Sequence, residues 1–410
     1  MSPQNKVPVI RFEGFNGKWE EKALAQYAKF RRGSFPQPYG NKEWYDGQGA
    51  MPFVQVVDVT KKLALVKDTK QKISAIAQPK SVFVEKGKVL VTLQGSIGRV
   101  AIAQYNTYVD RTLLIFETFE KKTDSHYWAY LIQNKFDIEK RKAPGGTIKT
   151  ITKEALSVFL VHIPEYKEQT KIGNYFQQID TLIAQHEQKH DKLLNLKKSL
   201  LEKMFPKQGV TEPAIRFKGF TGQWEEKVLG EDVSDIIGGG TPSTQISAYW
   251  DGDIHWYSPT EIGRKVYAEK SMKKITQLGL NKSSARILPA DKTVLFTSRA
   301  GIGDMAILSN EACTNQGFQS FVLKKDYEAY FIYSMGFQIK DYALKHASGS
   351  TFLEISGKQL GKMIIKIPLN EEQTKIGKLF KTLDTLISQQ QAQLKKLRNI
   401  KQACLDKMFV

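Results

Sequence analysis

The stretch EQTKIGNYFQQIDTLI, residues 168–183, decides the fold, because it returns as EQTKIGKLFKTLDTLI at residues 372–387. Both copies run on to the tripeptide KMF, at 203–205 and again at 407–409, and about half of the residues in the two segments are identical. A long segment that recurs once indicates a duplicated unit. It does not indicate a solenoid, whose repeats are about 20 to 50 residues long.

Two further pairs of segments recur at an offset of about 205 residues. IRFEGFNGKWEEK begins at Ile10 and IRFKGFTGQWEEK at Ile215, whereas LVTLQGSIGRVAI begins at Leu90 and LFTSRAGIGDMAI at Leu295. The duplication therefore covers nearly the whole chain, in the order globular domain, helix, globular domain, helix.

This order predicts a first globular domain at 1–165 and a helix at 166–206, then a second globular domain at 207–368 and a second helix at 369–410. The joint between the copies falls near PKQGVTEP, residues 206–213, where Pro, Gly and polar residues cluster as they do in loops.

Apolar positions alternate at spacings of four and three along both predicted helices, without an internal Pro, which is the heptad pattern of a coiled coil. Helices of about 35 residues would reach roughly 50 Å, and each needs a partner for its apolar seam. We predict that they form an antiparallel coiled coil with each other, which would relate the two halves by a pseudo-two-fold axis. The seam positions are Ile172, Phe176, Ile179, Ile183, His186, His190, Leu193, Leu200 and Met204, then Ile376, Phe380, Leu383, Ile387, Gln390, Leu394, Leu397, Cys404 and Met408.

The globular segments predict mixed α/β (α+β) domains. Short runs of β-branched and apolar residues, separated by glycine-containing turns, are typical of strands, and longer aromatic-rich runs are typical of packed helices. The predicted strands are 52–57, 89–93, 293–297 and 363–368, and the predicted helices are 124–136 and 326–346.

The 410 residues include 61 Lys and Arg against 42 Asp and Glu, which gives a net charge of +19. This charge is spread over the chain with 22 Phe, 16 Tyr and 6 Trp interleaved, a composition that favours nucleic acid as the partner. Cys313 and Cys404 lie far apart and lack metal-ligand spacing, which fits a reducing cytosol. No apolar stretch has the length of a signal peptide or a membrane span, so we expect a cytoplasmic protein.

One motif points to a different function, since HEQKH at 186–190 matches the H-E-x-x-H motif of zinc proteases. His186 and His190 fall on the predicted helix seam, and the second copy has Gln390 and Leu394 in their places. We therefore expect no metal site here, and we interpret the histidines as a polar layer that fixes helix register. A zinc-dependent hydrolase is kept as an alternative, which predicts stoichiometric zinc.

The two copies are similar in some parts and different in others. Similar parts must face something identical in both halves, such as shared packing or two copies of one partner protein. The stretches 27–89 and 232–294 have little similarity, so they must face something different. For a basic chain this predicts two short DNA sequences, with the helices as a ruler between them. The alternative is a duplicated adaptor that clamps partner proteins without sequence-specific DNA binding.

Several motifs carry a family resemblance. DIIGGGTPSTQISAYWDGDIHWYSPTEIG at 235–263, followed by SSARILPADKTVLFTSRAGIGDMAI and CTNQGFQSF, resembles a target recognition domain of Type I restriction enzyme specificity subunits. FPQPYGNKEWYDGQGAMPFVQVVDV at 35–59 resembles another version of that domain, and the helices that begin with EQTKIG resemble the spacer helices of the family. The resemblance covers nearly the whole chain.

The resemblance implies a non-catalytic subunit that binds a bipartite, asymmetric site in double-stranded DNA, with one half read by each recognition domain. It implies assembly with two modification subunits, which use S-adenosylmethionine to methylate adenine. It also implies restriction subunits that hydrolyse ATP and cleave DNA, with ATP and Mg held by the partner subunits. The chain itself is expected to hold no cofactor. It contains no Asn-Pro-Pro-aromatic methylase motif and no G-x-x-x-x-G-K-S/T phosphate loop.

Loop residues that can donate to phosphates or to base edges are the candidate DNA contacts. We expect them beside glycine turns, where a backbone can approach DNA closely. In the first domain they are Arg31, Arg32, Ser34, Gln37, Arg99, Arg141, Lys142, Thr147 and Lys149, and in the second domain they are Thr241, Ser243, Thr244, Ser283, Ser284, Arg286, Ser298, Arg299, Ser350 and Thr351.

Contacts with the modification subunits are expected among the polar residues that the two copies share at the start of each helix. Helix capping and packing between helix and domain are the alternative roles for these residues. The candidates are Gln169, Lys171, Asp180 and Thr181 in the first copy, and Gln373, Lys375, Asp384 and Thr385 in the second.

Overall fold

Both long helices predicted from the repeat are present in the computed structural model, and each has 39 residues. They run from Tyr166 to Met204 and from Asn370 to Met408. Their heptad pattern supplies the apolar face, and Glu168, Glu371 and Glu372 lie in their first turns, where negative charge is favourable. The structure describes residues 7–142, 156–299, 301–349 and 353–410, with the backbone alone for Lys142.

Contacts divide the chain into two compact units that do not coincide with the two sequence copies. The first unit is Met1–Glu187 with Ala392–Val410, and the second is Gln188–Gln391. Each unit therefore contains a stretch of both long helices, so each is completed by a helical segment from the other copy.

The first unit is built on two four-stranded sheets and a separate strand pair. Its strands are β1 (Glu20–Ala23), β2 (Ala28–Arg32), β3 (Met51–Val54), β4 (Gln71–Ile73), β5 (Val82–Val84), β6 (Val89–Thr92), β7 (Val100–Ile102), β8 (Thr107–Val109), β9 (Leu113–Phe119) and β10 (Leu160–Ile163). Its α-helices are α1 (Leu24–Tyr27), α2 (Ser125–Lys142) and the first part of α3 (Tyr166–Met204), and its 3-10 turns are Lys42–Trp44, Val56–Asp58 and Gln78–Lys80. The sheet orders are β2-β9-β6-β7 and β4-β3-β8-β5, and β1 pairs with β10.

The second unit contains a five-stranded sheet, a three-stranded sheet and a strand pair. Its strands are β11 (Glu225–Val228), β12 (Ser234–Gly238), β13 (Trp250–Tyr257), β14 (Tyr267–Ala268), β15 (Lys273–Ile275), β16 (Thr293–Phe296), β17 (Met305–Leu308), β18 (Ala312–Thr314), β19 (Gln319–Leu323) and β20 (Ile364–Ile367). Its α-helices are α4 (Gln277–Asn281), α5 (Ala329–Ser334), α6 (Gly336–His346), α7 (Gly357–Gly361) and part of α8 (Asn370–Met408), with a π turn at Leu229–Val233 and 3-10 turns at Ser247–Tyr249 and Pro259–Glu261. The sheet orders are β12-β19-β16-β17-β14 and β15-β13-β18, and β11 pairs with β20.

The two units share most of their sheet topology even where their sequences differ, although β5 has no counterpart in the second unit and β14 has none in the first. The order β2-β9-β6-β7 recurs as β12-β19-β16-β17, and the parallel pair of β3 with β8 recurs as β13 with β18. The residues of β6 (VLVT) and β16 (TVLF) are all buried, which is the pattern of a strand covered on both faces. In the stretches 27–89 and 232–294, the strands β2, β3 and β4 therefore have counterparts in β12, β13 and β15, while their side chains diverge.

The end of α8 completes the core of the first unit. The ring of Phe409 is 7% exposed and lies 5.6 Å from the ring of Tyr127 and 5.8 Å from that of Phe176, measured between centroids. Leu405 and Met408 belong to the same cluster, which also holds the buried Trp19. Burial of an aromatic side chain of this size contributes about 1.5–3 kcal/mol, so the last turn of the chain is part of this core.

The end of α3 fills the equivalent place in the second unit. The ring of Phe205 lies 5.4 Å from that of Phe331 and 6.0 Å from that of Phe380. Met204 and Trp224 are buried in the same cluster. The repeated KMF segment thus has the same structural role in both units.

The two long helices run antiparallel inside each unit, as predicted. In the first unit, Lys401 pairs with Asp180 at 2.5 Å and Arg398 with Glu187 at 2.8 Å, so residue numbers fall in α8 as they rise in α3. In the second unit, Lys197 of α3 pairs with Asp384 of α8 at 2.5 Å, and the ring of Phe205, just after α3, lies 6.0 Å from that of Phe380, so the numbers again run in opposite directions.

The apolar seam predicted from the heptads is confirmed within each unit. Ile172 and Phe176 in α3, with Ile376 and Phe380 in α8, are each at most 1% exposed.

A second contact shared by the two units fixes the start of each long helix: a guanidinium in the IRF segment forms two hydrogen bonds with a buried carboxylate. The pairs are Arg11 with Glu168 and Arg216 with Glu372.

Most of the predicted short elements are present, with two corrections. The strand predicted at 52–57 ends at Val54, because Val56–Asp58 turns into a 3-10 helix in which Asp58 accepts from the amide of Gln55. The helix predicted at 326–346 is two helices, α5 and α6, that break at Met335. There, Gly336 has the low helix propensity of glycine and packs close to Met305. Among the described residues, no helix combines the length and hydropathy needed to cross a bilayer.

Candidate nucleic-acid interface

A short turn that joins the two sheets is the centre of the candidate interface in the second unit. It follows β18, and the side-chain oxygen of Asn315 accepts a hydrogen bond of 2.8 Å from the amide of Gly317. This local bond is the one that Asn favours in turns, and it leaves Gln316 exposed at the tip. Gly239 passes over this turn so closely that a Cβ atom there would lie 2.1 Å from the carbonyl oxygen of Asn315.

Three loops of the second unit converge on this turn. The hydroxyl of Thr241 donates a hydrogen bond to Oε1 of Gln316. Ser284 packs so closely against Gly240 that a Cβ atom on that glycine would lie 2.4 Å from the Ser284 hydroxyl. A Cβ atom on Gly317 would lie 3.5 Å from Nε of Arg299. The structure therefore brings together predicted residues from loops that are far apart in sequence.

The remaining predictions in the second unit have varied surroundings. Ser243, Thr244 and Arg286 are exposed, whereas the hydroxyl of Ser283 donates to the carbonyl of Leu280 at 3.3 Å. Ser298 is fully buried, and among the described residues its hydroxyl has no hydrogen-bond partner. Ser350 and Thr351 lie outside the described residues.

The first unit has the same turn with different side chains. It follows β8, and Oδ1 of Asp110 accepts from the amide of Thr112 at 2.9 Å and from its hydroxyl at 2.6 Å. Arg111 is exposed at the tip, and its guanidinium carbon lies 5.8 Å from the centre of the Tyr39 ring. Gly33 passes over the turn as Gly239 does, so closely that a Cβ atom there would lie 2.4 Å from the carbonyl oxygen of Asp110.

The predicted loop at 31–37 is distant from this turn in sequence, but the fold brings Gly33 against the backbone of the turn. Arg32 and Gln37 are exposed. Arg31 is exposed and forms an ion pair of 2.9 Å with Glu117, and the hydroxyl of Ser34 donates to the carbonyl of Lys80 at 3.2 Å.

A basic groove of about 620 Å³ lies in the first unit, beside the turn that follows Gly95. Arg99 lines it and donates to the carbonyl of Val59 at 3.3 Å. The other charged lining residues are Lys61, Asp137, Lys140, Arg398 and Lys401. An excess of cations in a concave surface attracts phosphate groups, so this groove is a candidate contact with the nucleic-acid backbone.

Arg141 lies at the end of α2, where it donates to the carbonyl of Asp137 at 3.3 Å and pairs with Asp406 at 3.4 Å. The backbone of Lys142 ends the same helix. Thr147 and Lys149 lie outside the described residues.

Four of the eight predicted partner contacts form hydrogen bonds with other elements of their own unit. Gln169 is buried, with Oε1 accepting from the amide of Asp124, and Gln373 is buried, with Oε1 accepting from the amide of Glu328. Asp180 accepts from the hydroxyl of Tyr130 and from Lys401, and Asp384 accepts from Tyr330 and Lys197.

The other four partner candidates are exposed on the long helices. Lys171 lies 5.1 Å from the centre of the Phe15 ring, and Lys375 lies 4.6 Å from that of Phe220. The hydroxyls of Thr181 and Thr385 each donate 2.8 Å bonds to the helix carbonyl four residues earlier. Their remaining surface is available to another protein.

The glutamate of the HEQKH motif is held by two cations. Glu187 accepts from Lys62 at 2.6 Å and from Arg398 at 2.8 Å, and these bonds lower its pKa below the usual value. A general base needs a pKa raised towards neutral pH, so these surroundings oppose a protease role for Glu187. Within the described ranges, no group of three His, Cys, Asp or Glu could hold a metal ion.

Sequence reasoning missed the tip residues Arg111 and Gln316. The signal for them is weak but present, because YVDRT and CTNQG occupy matching positions at the offset of 205 residues. The groove residues Lys61, Lys140 and Arg398 were also missed, since only the fold brings three distant segments to one surface.

The family model for the Type I restriction modification DNA specificity domain matches residues 16–195 and again residues 222–397. The chain belongs to this family. The two matches correspond to the two copies found in the sequence, and the family assignment confirms the resemblance of the recognition motifs and the spacer helices.

Individual members of the family are similar to this chain in sequence. The MjaIX specificity subunit of a Type I restriction enzyme from Methanocaldococcus jannaschii is 34% identical over 192 residues, which is 46% of this chain and 44% of that protein. The chain thus matches less than half the length of this relative. A putative MjaX specificity subunit from the same organism is 24% identical over 373 residues, covering 85% of this chain and 82% of the relative.

The solved S subunit of a Type I restriction-modification system from M. genitalium has the same fold. It superimposes with a TM-score of 0.62 at 16% identity and covers 98% of this chain and 99% of its own. At this low identity the likeness supports the fold alone.

Proposed function

We propose that this chain is the DNA sequence-specificity subunit of a Type I restriction-modification complex. In this proposal, the recognition domains in 1–165 and 207–368 each read one half of a bipartite, asymmetric DNA site. The helices in 166–206 and 369–410 set the spacing between the halves and dock the methyltransferase subunits.

One observation carries this proposal: the units share most of their sheet topology and their main internal contacts, yet they differ where loops meet the candidate interface. The fork between Arg11 and Glu168 recurs as Arg216 with Glu372. The tip of the equivalent turn, in contrast, changes from Arg111 to Gln316. A conserved scaffold with a variable polar surface is what two readers of different sequences require.

The charge and chemistry of the loops favour DNA over a protein as the target of this surface. The chain carries a net charge of +19, and the groove in the first unit is lined by five Lys and Arg residues against one Asp. The exposed loop residues Arg286, Thr244 and Gln37 can donate to phosphates or to base edges. An adaptor for a protein partner would not need this excess of cations.

The chain is proposed to do no chemistry itself. Methylation of adenine with S-adenosylmethionine, ATP hydrolysis and Mg-dependent cleavage are assigned to two modification subunits and to restriction subunits. Within the matched polar residues, the exposed Lys171, Thr181, Lys375 and Thr385 are the better candidates for contact with the modification subunits. Gln169, Asp180, Gln373 and Asp384 are already bonded inside their units, so any role of theirs in docking would be to position the helices.

Selection from randomised DNA duplexes tests the reading function. The full chain, reconstituted with the modification subunits of its host, should enrich a site of two short, unlike sequences separated by a fixed number of unspecified base pairs. Affinity should fall steeply with salt, because neutralised phosphates release counterions. Enrichment of no sequence, with binding that depends only on salt, would refute the proposal.

Shortening the helices tests the spacing function. Removal of residues 187–193 and 391–397 deletes one heptad from each helix and keeps the antiparallel seam in register. The selected half-sites should be retained while the number of base pairs between them falls. An unchanged spacer in a folded variant would refute the role of the helices as a ruler.

A further inference from the structure

Each unit presents one arginine and one glutamine on two neighbouring turns, and the two residue types exchange places between the units. In the first unit, Gln94 follows β6 and Arg111 lies between β8 and β9. At the matching positions of the second unit, offset by 205 residues, Arg299 follows β16 and Gln316 lies between β18 and β19.

A backbone hydrogen bond holds the two turns together in the same way in both units. In the first unit, the amide of Leu93 donates to the carbonyl of Thr112 at 2.8 Å. In the second unit, the amide of Ser298 donates to the carbonyl of Gly317, also at 2.8 Å. Leu93 and Ser298 directly precede Gln94 and Arg299, and Thr112 and Gly317 directly follow Arg111 and Gln316. The arginine and the glutamine of each unit therefore lie on either side of this backbone bond.

The side chains at these positions are available to a ligand. Gln94, Arg111 and Gln316 are exposed, and the side chain of Arg299 is 36% exposed. In the part of the chain that the structure describes, no carboxylate forms an ion pair with Arg111. The Arg299 guanidinium approaches Glu354 only at 4.0 Å.

Local contacts orient two of the side chains. The ring of Tyr39 lies 5.8 Å from the guanidinium carbon of Arg111, a distance at which an aromatic face attracts the cation. The hydroxyl of Thr241 donates to Oε1 of Gln316, which fixes the amide plane and leaves both Nε2 donors and a lone pair of Oε1 free for another group.

We propose that Gln94 with Arg111, and Arg299 with Gln316, form the central base-reading pair of each unit, an inference that rests on the proposed function. Arginine recognises guanine through N7 and O6, and glutamine recognises adenine through N7 and the N6 amino group. The exchange of the two residue types on one scaffold gives each unit a different order of guanine and adenine contacts. The half-sites then differ without any change in fold.

Substitution at the turn tips tests the pairs by selection from randomised duplexes, with the full chain reconstituted with the modification subunits of its host. R111Q should replace one guanine preference with adenine in one half-site, by about tenfold or more, and leave the other half-site unchanged. Q316R should make the converse change in the other half-site. R111K retains the charge without the planar fork, so it should weaken the same guanine preference.

The control is K121Q, which removes a cation of the first unit that pairs with Glu20 away from both turns. It should leave both half-sites unchanged. Circular dichroism and thermal unfolding of each variant check that the chain is folded. If R111Q lowers affinity and Q316R raises it equally for every duplex, with a shallower salt dependence for R111Q and a steeper one for Q316R, the residues contact phosphates and this inference is wrong while the proposed function stands. If the unmodified chain selects no sequence, the proposed function itself is wrong.

Discussion

Nζ of Lys401 lies 2.5 Å from Oδ1 of Asp180, and this ion pair joins the second long helix to the first inside the first unit. Oδ2 of Asp180 accepts a further bond of 2.6 Å from the hydroxyl of Tyr130, whose pKa is raised by burial and by that carboxylate. The same three residue types recur in the second unit as Lys197, Asp384 and Tyr330. A segment from each copy is thus fastened into the unit of the other copy.

Asp180→Asn should destabilise the first unit by about 1–3 kcal/mol, because it removes a charge-assisted bond and leaves Lys401 without its partner. Urea denaturation followed by circular dichroism measures the change. Asp406→Asn is the matched control: its pair with Arg141 is 3.4 Å long and both side chains are about half exposed, so its effect should be about 0–0.5 kcal/mol. Equal effects of the two variants would contradict the proposed role of the partly buried pair of Asp180 and Lys401.

Phe409→Ala should destabilise the first unit by about 3–5 kcal/mol, since it opens a cavity between Tyr127 and Phe176. Hydrogen exchange should locate the loss of protection in the first unit. Phe205→Ala should produce the corresponding loss in the second unit. Val158→Ala, at a side chain that is 71% exposed, should change little, and a similar loss from that variant would argue against specific packing of Phe409.

Arg286→Ala or Arg299→Ala should relax specificity at one position of one half-site by about 1–3 kcal/mol if the residue contacts a base. Ser298→Ala should leave selection unchanged, because the Ser298 hydroxyl is fully buried. Selected sequences from the three variants provide the measurement. An unchanged preference in an arginine variant removes that residue from the reading surface.

Lys61→Ala combined with Lys140→Ala should reduce affinity for all duplexes alike. If both residues contact phosphates, the slope of log affinity against log salt should become shallower by about 2. Titrations at several salt concentrations measure it. Lys121→Ala removes one cation outside the groove and should leave the slope unchanged. An unchanged slope in the double variant would place the DNA backbone elsewhere.

Glu187 should make stability fall in acid. Its bonds with Lys62 and Arg398 lower its pKa in the folded state, so the stabilisation is present above the unfolded value of 4.5 and is lost as pH falls through the lower folded pKa. Glu187→Gln should therefore flatten the dependence of unfolding free energy on pH below about 4.5. If the unfolding free energies of the variant and the unmodified chain depend on pH in the same way, the pairs of Glu187 with Lys62 and Arg398 contribute nothing to stability.

The sequence by itself determined the duplication and the long helices, because both depend on local patterns. The spacing of Ile172, Phe176 and Ile179 predicts one helix face, and the recurrence of EQTKIG predicts a second helix with the same face. The chain offered no equally clear sign of the break at Met335, since the apolar pattern continues across it and only Gly336 marks the place.

Tertiary structure alone decided which unit each helix end completes and which loops share a surface. The two KMF ends have identical sequences, so no local preference directs Phe409 into the first unit and Phe205 into the second. Likewise, Thr241 and Gln316 are separated by 75 residues, and their contact exists because Gly239 lets one backbone pass closely over another. Such contacts depend on packing between residues that are far apart in sequence, and a local periodic pattern of residues does not predict them.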